Sequence, residues 1–125
     1  MNPLTWQEAG DLLTEVDDAQ ERRVRSQLVF ELRPNPDRHA YAAAGEKEFR
    51  AKLVVLAGRC LPAGPCPART ALEGYLKEAV RDAGLQCLAD LSGRDEDRDE
   101  SEAAGRVTER LRGRLVERLA KGDGR

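Results

Sequence analysis

A repeat of four residues near the C-terminus gives the clearest indication of how this chain folds. Residues 106–121 read RVTE, RLRG, RLVE and RLAK, so each repeat begins with an arginine that is followed by an aliphatic residue. A step of four residues advances about 40° around an α-helix, so the aliphatic side chains form a slowly winding stripe with the arginines beside it. The stripe is Val107, Leu111, Leu115 and Leu119, and the arginine row is Arg106, Arg110, Arg114 and Arg118. This pattern predicts a helix that buries one edge and offers guanidinium groups along it, which suits docking better than catalysis.

The composition favours helices and a modest core. The chain has 125 residues, of which 40% are hydrophobic and 35% are charged, a size sufficient for one domain. It has five aromatic residues (two Phe, two Tyr and one Trp), so the core must be thin and aliphatic. Alanine, glutamate, lysine, leucine and arginine make up more than half of the sequence, a bias toward strong helix formers. We therefore predict an all-α fold, a small helical bundle of roughly four or five helices.

Capping residues mark two of the expected helix starts. Thr5 and Glu8 have the spacing of a capping box, which predicts a helix that begins directly after Thr5. Pro34 should end this segment, because proline lacks the amide hydrogen that a helix interior requires. Asn35 followed by Pro36 then resembles an N-cap with proline at the first helical position, so a second helix is expected there.

The remaining boundaries come from proline, glycine and charge. Pro67 should open a further helix, and Gly84 lies where a terminal glycine would end it. The acids at Asp17 and Asp18 suggest a kink or short break in the first helical segment. The predicted layout is a helical core at 1–91, an acidic connector at 92–102, an amphipathic C-terminal helix at 103–121 and a flexible tail at 122–125.

An α/β fold is the alternative. The short apolar runs at 28–32, 53–57 and 85–91 could each be a strand, because periodicity does not separate such runs from buried helix. Residues 52–91 would then form a strand–helix–strand unit of a short parallel sheet.

This alternative carries the one enzyme hypothesis that the residues support. Cys66 precedes a predicted helix start, where the helix dipole and unpaired amides stabilise a thiolate. The segment 53–75, with its Gly-Pro-Cys sequence, resembles the strand, loop and helix of thioredoxin-type proteins. The resemblance implies a small α/β thiol protein that uses Cys66 with Cys60. The sequence departs from the family at the attacking cysteine, because Ala63 occupies its place.

Other catalytic and cofactor chemistry has little support in the sequence. Three cysteines and one histidine at irregular spacing do not provide a zinc site, so no metal is expected. His39 has no nearby Ser or Cys with which to form a triad. The glycines match neither of the common phosphate-binding patterns, and we expect no cofactor and no small-molecule substrate.

The charge distribution points instead to interactions. The formal net charge is −2, but Asp95–Glu102 is strongly acidic and 106–121 is rich in arginine. We expect a non-enzymatic interaction or assembly module that binds a protein partner or itself through the C-terminal helix. Nucleic-acid backbone binding by the arginine row is a further alternative, which the net acidity and the few aromatic residues disfavour.

The expected location is the cytoplasm. No apolar run reaches the roughly 18 residues of a membrane span, and the N-terminus lacks the apolar stretch of a secretory signal. An odd number of cysteines, three, is typical of a reducing compartment.

Overall fold

Four α-helices make up the described part of the protein. The structure, a computed structural model, describes residues 5–121, and its helices are α1 (Trp6–Leu32), α2 (Pro36–Cys60), α3 (Pro67–Ser92) and α4 (Asp95–Lys121). Residues 5–121 contain no strand, so the predicted all-α bundle is confirmed and the α/β alternative is wrong. The runs proposed as strands, 28–32, 53–57 and 85–91, lie inside α1, α2 and α3, because each belongs to a longer stretch with helical periodicity.

The first two helices begin at the capping residues that the sequence indicates. Thr5 Oγ1 accepts a hydrogen bond from the backbone N–H of Glu8 at 3.0 Å, and the Glu8 carboxylate accepts one from the Thr5 N–H. Asn35 Oδ1 accepts a hydrogen bond from the Arg38 N–H at 2.8 Å, with Pro36 in the first turn of α2. Each cap satisfies a backbone donor that the helix leaves unpaired.

Two predicted interruptions are wrong. α1 continues through Asp17 and Asp18, because the Asp17 carboxylate bonds to side chains of other helices rather than to its own backbone. α3 continues through Gly84 to Ser92. An interior glycine costs about 1 kcal/mol, which the burial of Cys87 and the partial burial of Leu85 after it offset. The helix ends at Gly93, whose φ of 66° is a left-handed conformation that glycine adopts without strain.

The acidic connector predicted at 92–102 is also corrected, since α4 already begins at Asp95 and its acids form the first two turns. Acids at a helix N-terminus interact favourably with the helix dipole, which favours this early start. Asp97 accepts hydrogen bonds from Ser92 Oγ at 2.5 Å and from Arg94 Nε at 3.0 Å. The bond from Ser92 is the main reason that the pKa of Asp97 lies below its usual value. The tail predicted at 122–125 lies outside the described residues.

The helices pack as two antiparallel pairs, α1 with α2 and α3 with α4. Ion pairs cross the first pair, from Glu15 to Lys52 at 3.6 Å and from Arg23 to Glu46 at 3.1 Å. α1 also packs against α3 and α4, whereas α2 packs chiefly on α1. The α3–α4 pair therefore has one face covered by α1.

The core is aliphatic, as its composition requires. Leu13 and Val16 of α1, Leu56 of α2 and Leu115 of α4 are almost fully buried. Tyr75 of α3 joins the same cluster. Burying a side chain of this size contributes about 2 kcal/mol, so a few such residues carry much of the stability.

Gly45 marks a close approach of α1 and α2, because a Cβ atom there would lie 3.2 Å from the Arg23 Cα. In contrast, a Cβ atom at Gly113 would meet no other atom within 4 Å. We expect Gly113→Ala to raise the free energy of unfolding by about 0.5–1 kcal/mol through helix propensity. Gly45→Ala should give no gain, since the two backbones would have to separate. Urea denaturation of the two variants checks this, and an equal gain at both positions would contradict the close approach.

A candidate interaction surface on the third and fourth helices

The apolar stripe of the repeat leaves the core part-way along α4. Leu115 and Leu119 are each only 1% exposed and belong to the chain's own core. Leu111 is partly buried, and Val107 is 43% exposed. The stripe is therefore divided: its C-terminal half belongs to the chain's own core, and its N-terminal half remains accessible.

The arginine row lies on the outside of the bundle. Arg106, Arg110 and Arg114 are exposed, and none of them forms an ion pair or hydrogen bond with another described side chain. We call these three residues the arginine face. Other arginines of the bundle are paired, such as Arg22 with Glu48 and Arg25 with Asp90. The arginine face is therefore not accounted for by the ion pairs that link the helices.

A groove of about 560 Å³ runs beside the arginine face, between α3 and α4. It is lined by Pro67, Thr70, Ala71, Gly74 and Tyr75 of α3 and by Leu111, Arg114, Leu115 and Arg118 of α4. We call it the outer groove, because its lining comes from α3 and α4 alone and it lies on the face of this pair away from α1. Small side chains keep it open, since a Cβ atom at Gly74 would meet nothing within 4 Å.

A polar cluster lies on the opposite face of the α3–α4 pair, against α1. Arg112 Nε donates to Asp17 Oδ2 at 3.1 Å, and its terminal NH2 group donates to Thr14 Oγ1 at 2.7 Å and to the Gly10 carbonyl at 3.2 Å. The Tyr75 hydroxyl donates to Asp17 Oδ1 at 2.6 Å. Three helices thus meet at one carboxylate.

Burial sets the protonation behaviour of this cluster. It raises the pKa of Asp17 above its usual value, although the hydrogen bonds from Tyr75 and Arg112 act in the opposite direction. Burial, together with the Asp17 hydrogen bond and charge, raises the pKa of the Tyr75 hydroxyl far above its usual range. A cleft of about 430 Å³ lies beside the cluster and is lined by Asp17 and Asp82. Burial also raises the pKa of Asp82. Both carboxylate oxygens of Asp17 accept hydrogen bonds from other helices. We therefore interpret the cluster as a link that holds α1, α3 and α4 together rather than as a proton-transfer site.

Sequence reasoning missed this cluster. Arg112 is out of step with the arginine row, and a four-residue repeat gives it no role. A signal was nevertheless present, because Arg112 falls on the same side of α4 as Leu115 and Leu119 and an arginine placed there needs a carboxylate partner. The local sequence around its partner, Asp17, indicates only a helix interruption.

The cysteine hypothesis loses its structural basis. The segment 53–57 is helical, so the strand of a thioredoxin-type unit is missing there. Cys60 and Cys66 are both buried, and burial raises the pKa of the Cys60 thiol. Cys66 acts as the N-cap of α3, where its Sγ accepts a hydrogen bond from the Arg69 N–H at 3.4 Å.

The chain matches no protein-family model, no curated protein and no solved structure. Within residues 5–121, no group of three or more His, Cys, Asp or Glu side chains is arranged to hold a metal ion. Among the described helices, none combines the length and apolarity needed to cross a membrane. The outer groove and the arginine face together form the candidate interaction surface.

Proposed function

We propose that the protein is a non-enzymatic interaction module that docks an acidic helical segment along the outer groove and the arginine face. The observation that carries this proposal is the combination of an open apolar groove with three adjacent arginines that have no ionic partner among the described side chains. Either feature alone is common on protein surfaces, whereas together they define the chemistry of an occupant.

The groove suits a helix as its occupant. An amphipathic helix places apolar side chains into a groove at positions i, i+3 or i+4, and i+7. Here Leu111, Ala71 and Gly74 would face such side chains, and Val107 extends the apolar strip beyond the groove.

The arginine face selects the charge of that helix. Arginine pairs with carboxylates through two parallel hydrogen bonds, which gives geometric specificity as well as attraction. A nucleic-acid backbone fits less well, because the acidic first turns of the same helix would repel phosphates near the arginine face and the net charge is −2.

A designed peptide tests this proposal. The probe is a fluorescent amphipathic helix of about 20 residues, with leucine at every fourth position and glutamates beside it, titrated at low salt and followed by anisotropy. Arg110→Glu/Arg114→Glu should weaken its binding roughly tenfold or more, because attraction becomes repulsion at two positions. The loss should shrink as salt rises, since screening acts within roughly 8 Å at physiological ionic strength.

Two further variants separate docking from net charge and from folding. Arg33→Glu/Lys47→Glu changes the net charge equally at exposed positions away from the groove and should bind the peptide nearly as well as the wild type. Gly74→Leu should fill the groove and weaken binding while helicity stays intact, because a Cβ atom at this position meets nothing within 4 Å. The proposed surface is refuted if the peptide binds with wild-type affinity to both Arg110→Glu/Arg114→Glu and Gly74→Leu. Tighter binding of duplex DNA than of the peptide would also refute it.

We also propose a cytoplasmic location. All three cysteines are free, and structural disulfides are typical of oxidising compartments.

A further inference from the structure

The outward face of α4 carries opposite charges in its two halves. Glu96 and Asp99 lie in the N-terminal half, and the arginine face lies in the C-terminal half. Both acids are exposed, and neither pairs with another described side chain. With 3.6 residues per turn, positions 96, 99, 103, 107, 110 and 114 fall within about 80° of one another around the helix. The unpaired acids and arginines therefore share one face.

Compensation of the helix dipole explains only part of this pattern. Acids in the first turns and cations in the last turn are favourable, and the effect fades within a turn of each end. Arg106 and Arg110 lie about three turns or more from the C-terminal end of α4, which is Lys121. Their position on the outward face, opposite in sign to the acids, has no explanation in the isolated helix.

Antiparallel pairing of two such faces places Glu96, Asp99, Arg110 and Arg114 each opposite a charge of the other sign. Arg106 lies at the edge of the face and takes no part in this pairing. Positions 96 and 114 are centred near residue 105, and so are positions 99 and 110. Two α4 helices crossing at that point would bring Glu96 of each copy opposite Arg114 of the other, and Asp99 opposite Arg110. A parallel pairing would place like charges together.

The centre of the face permits close approach. Ala103 and Val107 are both exposed and lie between the acidic and basic groups, beside the predicted two-fold axis. A small and a medium apolar side chain at this point allow two helices to pack without burying an unpaired charge.

We propose that the partner of this surface is a second copy of the chain, bound antiparallel along α4 in a symmetric dimer. The inference rests on the part of the proposed function that concerns the arginine face, because it identifies the acidic helix that this face binds, and the chain itself contains one. The apolar lining of the outer groove takes no part in the dimer. A symmetric dimer uses the same patch on both copies, which is why one helix must carry both charges. Exposed ion pairs are individually weak, so we expect a salt-sensitive dimer with a dissociation constant on the order of 100 μM.

Sedimentation equilibrium of the full chain, from about 10 μM to 1 mM at low salt, tests this dimer across the expected dissociation constant. The average mass should rise from 13.8 kDa toward twice that value as concentration increases. Glu96→Arg/Asp99→Arg makes both halves of the face basic, and Arg110→Glu/Arg114→Glu makes both halves acidic. Each variant alone should stay monomeric. An equal mixture should dimerise again, because every basic half then meets an acidic one.

The mixture is the decisive sample, since a folding defect would not be repaired by mixing. Arg33→Glu/Lys47→Glu serves as the charge-matched control and should dimerise like the wild type. Any one of three results would overturn the dimer: the wild type keeps the monomer mass at all concentrations, the charge-reversed variants dimerise as strongly as the wild type, or their mixture stays monomeric. If the dimer fails but the acidic peptide binds, the protein is an interaction module with another partner. If both assays fail, the proposed function is wrong as well.

Discussion

Leu115→Ala is expected to lower the free energy of unfolding by about 3 kcal/mol, because it removes a fully buried side chain and leaves a cavity. For a chain of this length, that loss corresponds to a fall of roughly 10 °C in the melting temperature. Thermal denaturation followed by circular dichroism measures it.

Val107→Ala is the matched control from the same stripe. Val107 is largely outside the core, and alanine has the higher helix propensity, so the change should stay within about 0.5 kcal/mol. Equal destabilisation at both positions would mean that the stripe is buried along its whole length. The accessible N-terminal half, on which the docking surface depends, would then not exist.

Arg112→Leu is expected to cost about 2 kcal/mol, since it leaves the Asp17 carboxylate partly buried with one ionic partner removed. Arg110→Leu, on the exposed side of the same helix, should change the stability by less than about 0.5 kcal/mol. Urea denaturation at neutral pH compares the two.

The cost of Arg112→Leu should depend on pH. The pKa of Asp17 is raised in the fold, and it should rise further without Arg112, which lowers it. A raised carboxyl pKa means that the folded state binds the proton more tightly than the unfolded state, so protonation relieves the cost of burial. The stability gap between Arg112→Leu and the wild type should therefore narrow as pH falls from about 7 to about 4.

Taking the difference in stability between Arg112→Leu and the wild type cancels the effect of other titrating groups on the free energy of unfolding. Groups such as Glu46, whose pKa is lowered mainly by the Arg23 hydrogen bond, lose their contribution on acidification in both proteins alike. A gap that is constant or widens over this range would show that Asp17 is not the group that Arg112 compensates.

Much of the fold follows from local rules in the sequence. The caps at Thr5 and Asn35 and the proline at 67 place the starts of three helices, because capping depends on neighbouring residues alone. The boundaries predicted at Gly84 and at 92–102 are wrong. Gly84 resembles a helix end locally, but packing beyond it keeps the helix intact, and the acids after Asp95 form turns of α4 because the helix dipole favours them there.

The candidate site could be predicted only in outline. The repeat identifies α4 and its arginines, but periodicity alone does not show that Leu115 is buried while Val107 is exposed. That difference depends on where α3 and α1 lie. The pairing of Arg112 with Asp17 joins positions far apart in the sequence, so no local pattern links them. Likewise, the outer groove depends on how α3 and α4 pack against each other, which no local pattern specifies.

The most direct test of the docking surface is an amide-resolved NMR titration of the full chain with the acidic helical peptide. If the peptide docks along the outer groove and the arginine face, the shifted amides should cluster at 67–74 of α3 and 106–118 of α4, and the amides of α2 should stay unchanged. Shifts confined to the cleft around Asp17, or an unchanged spectrum at saturating peptide, would contradict it.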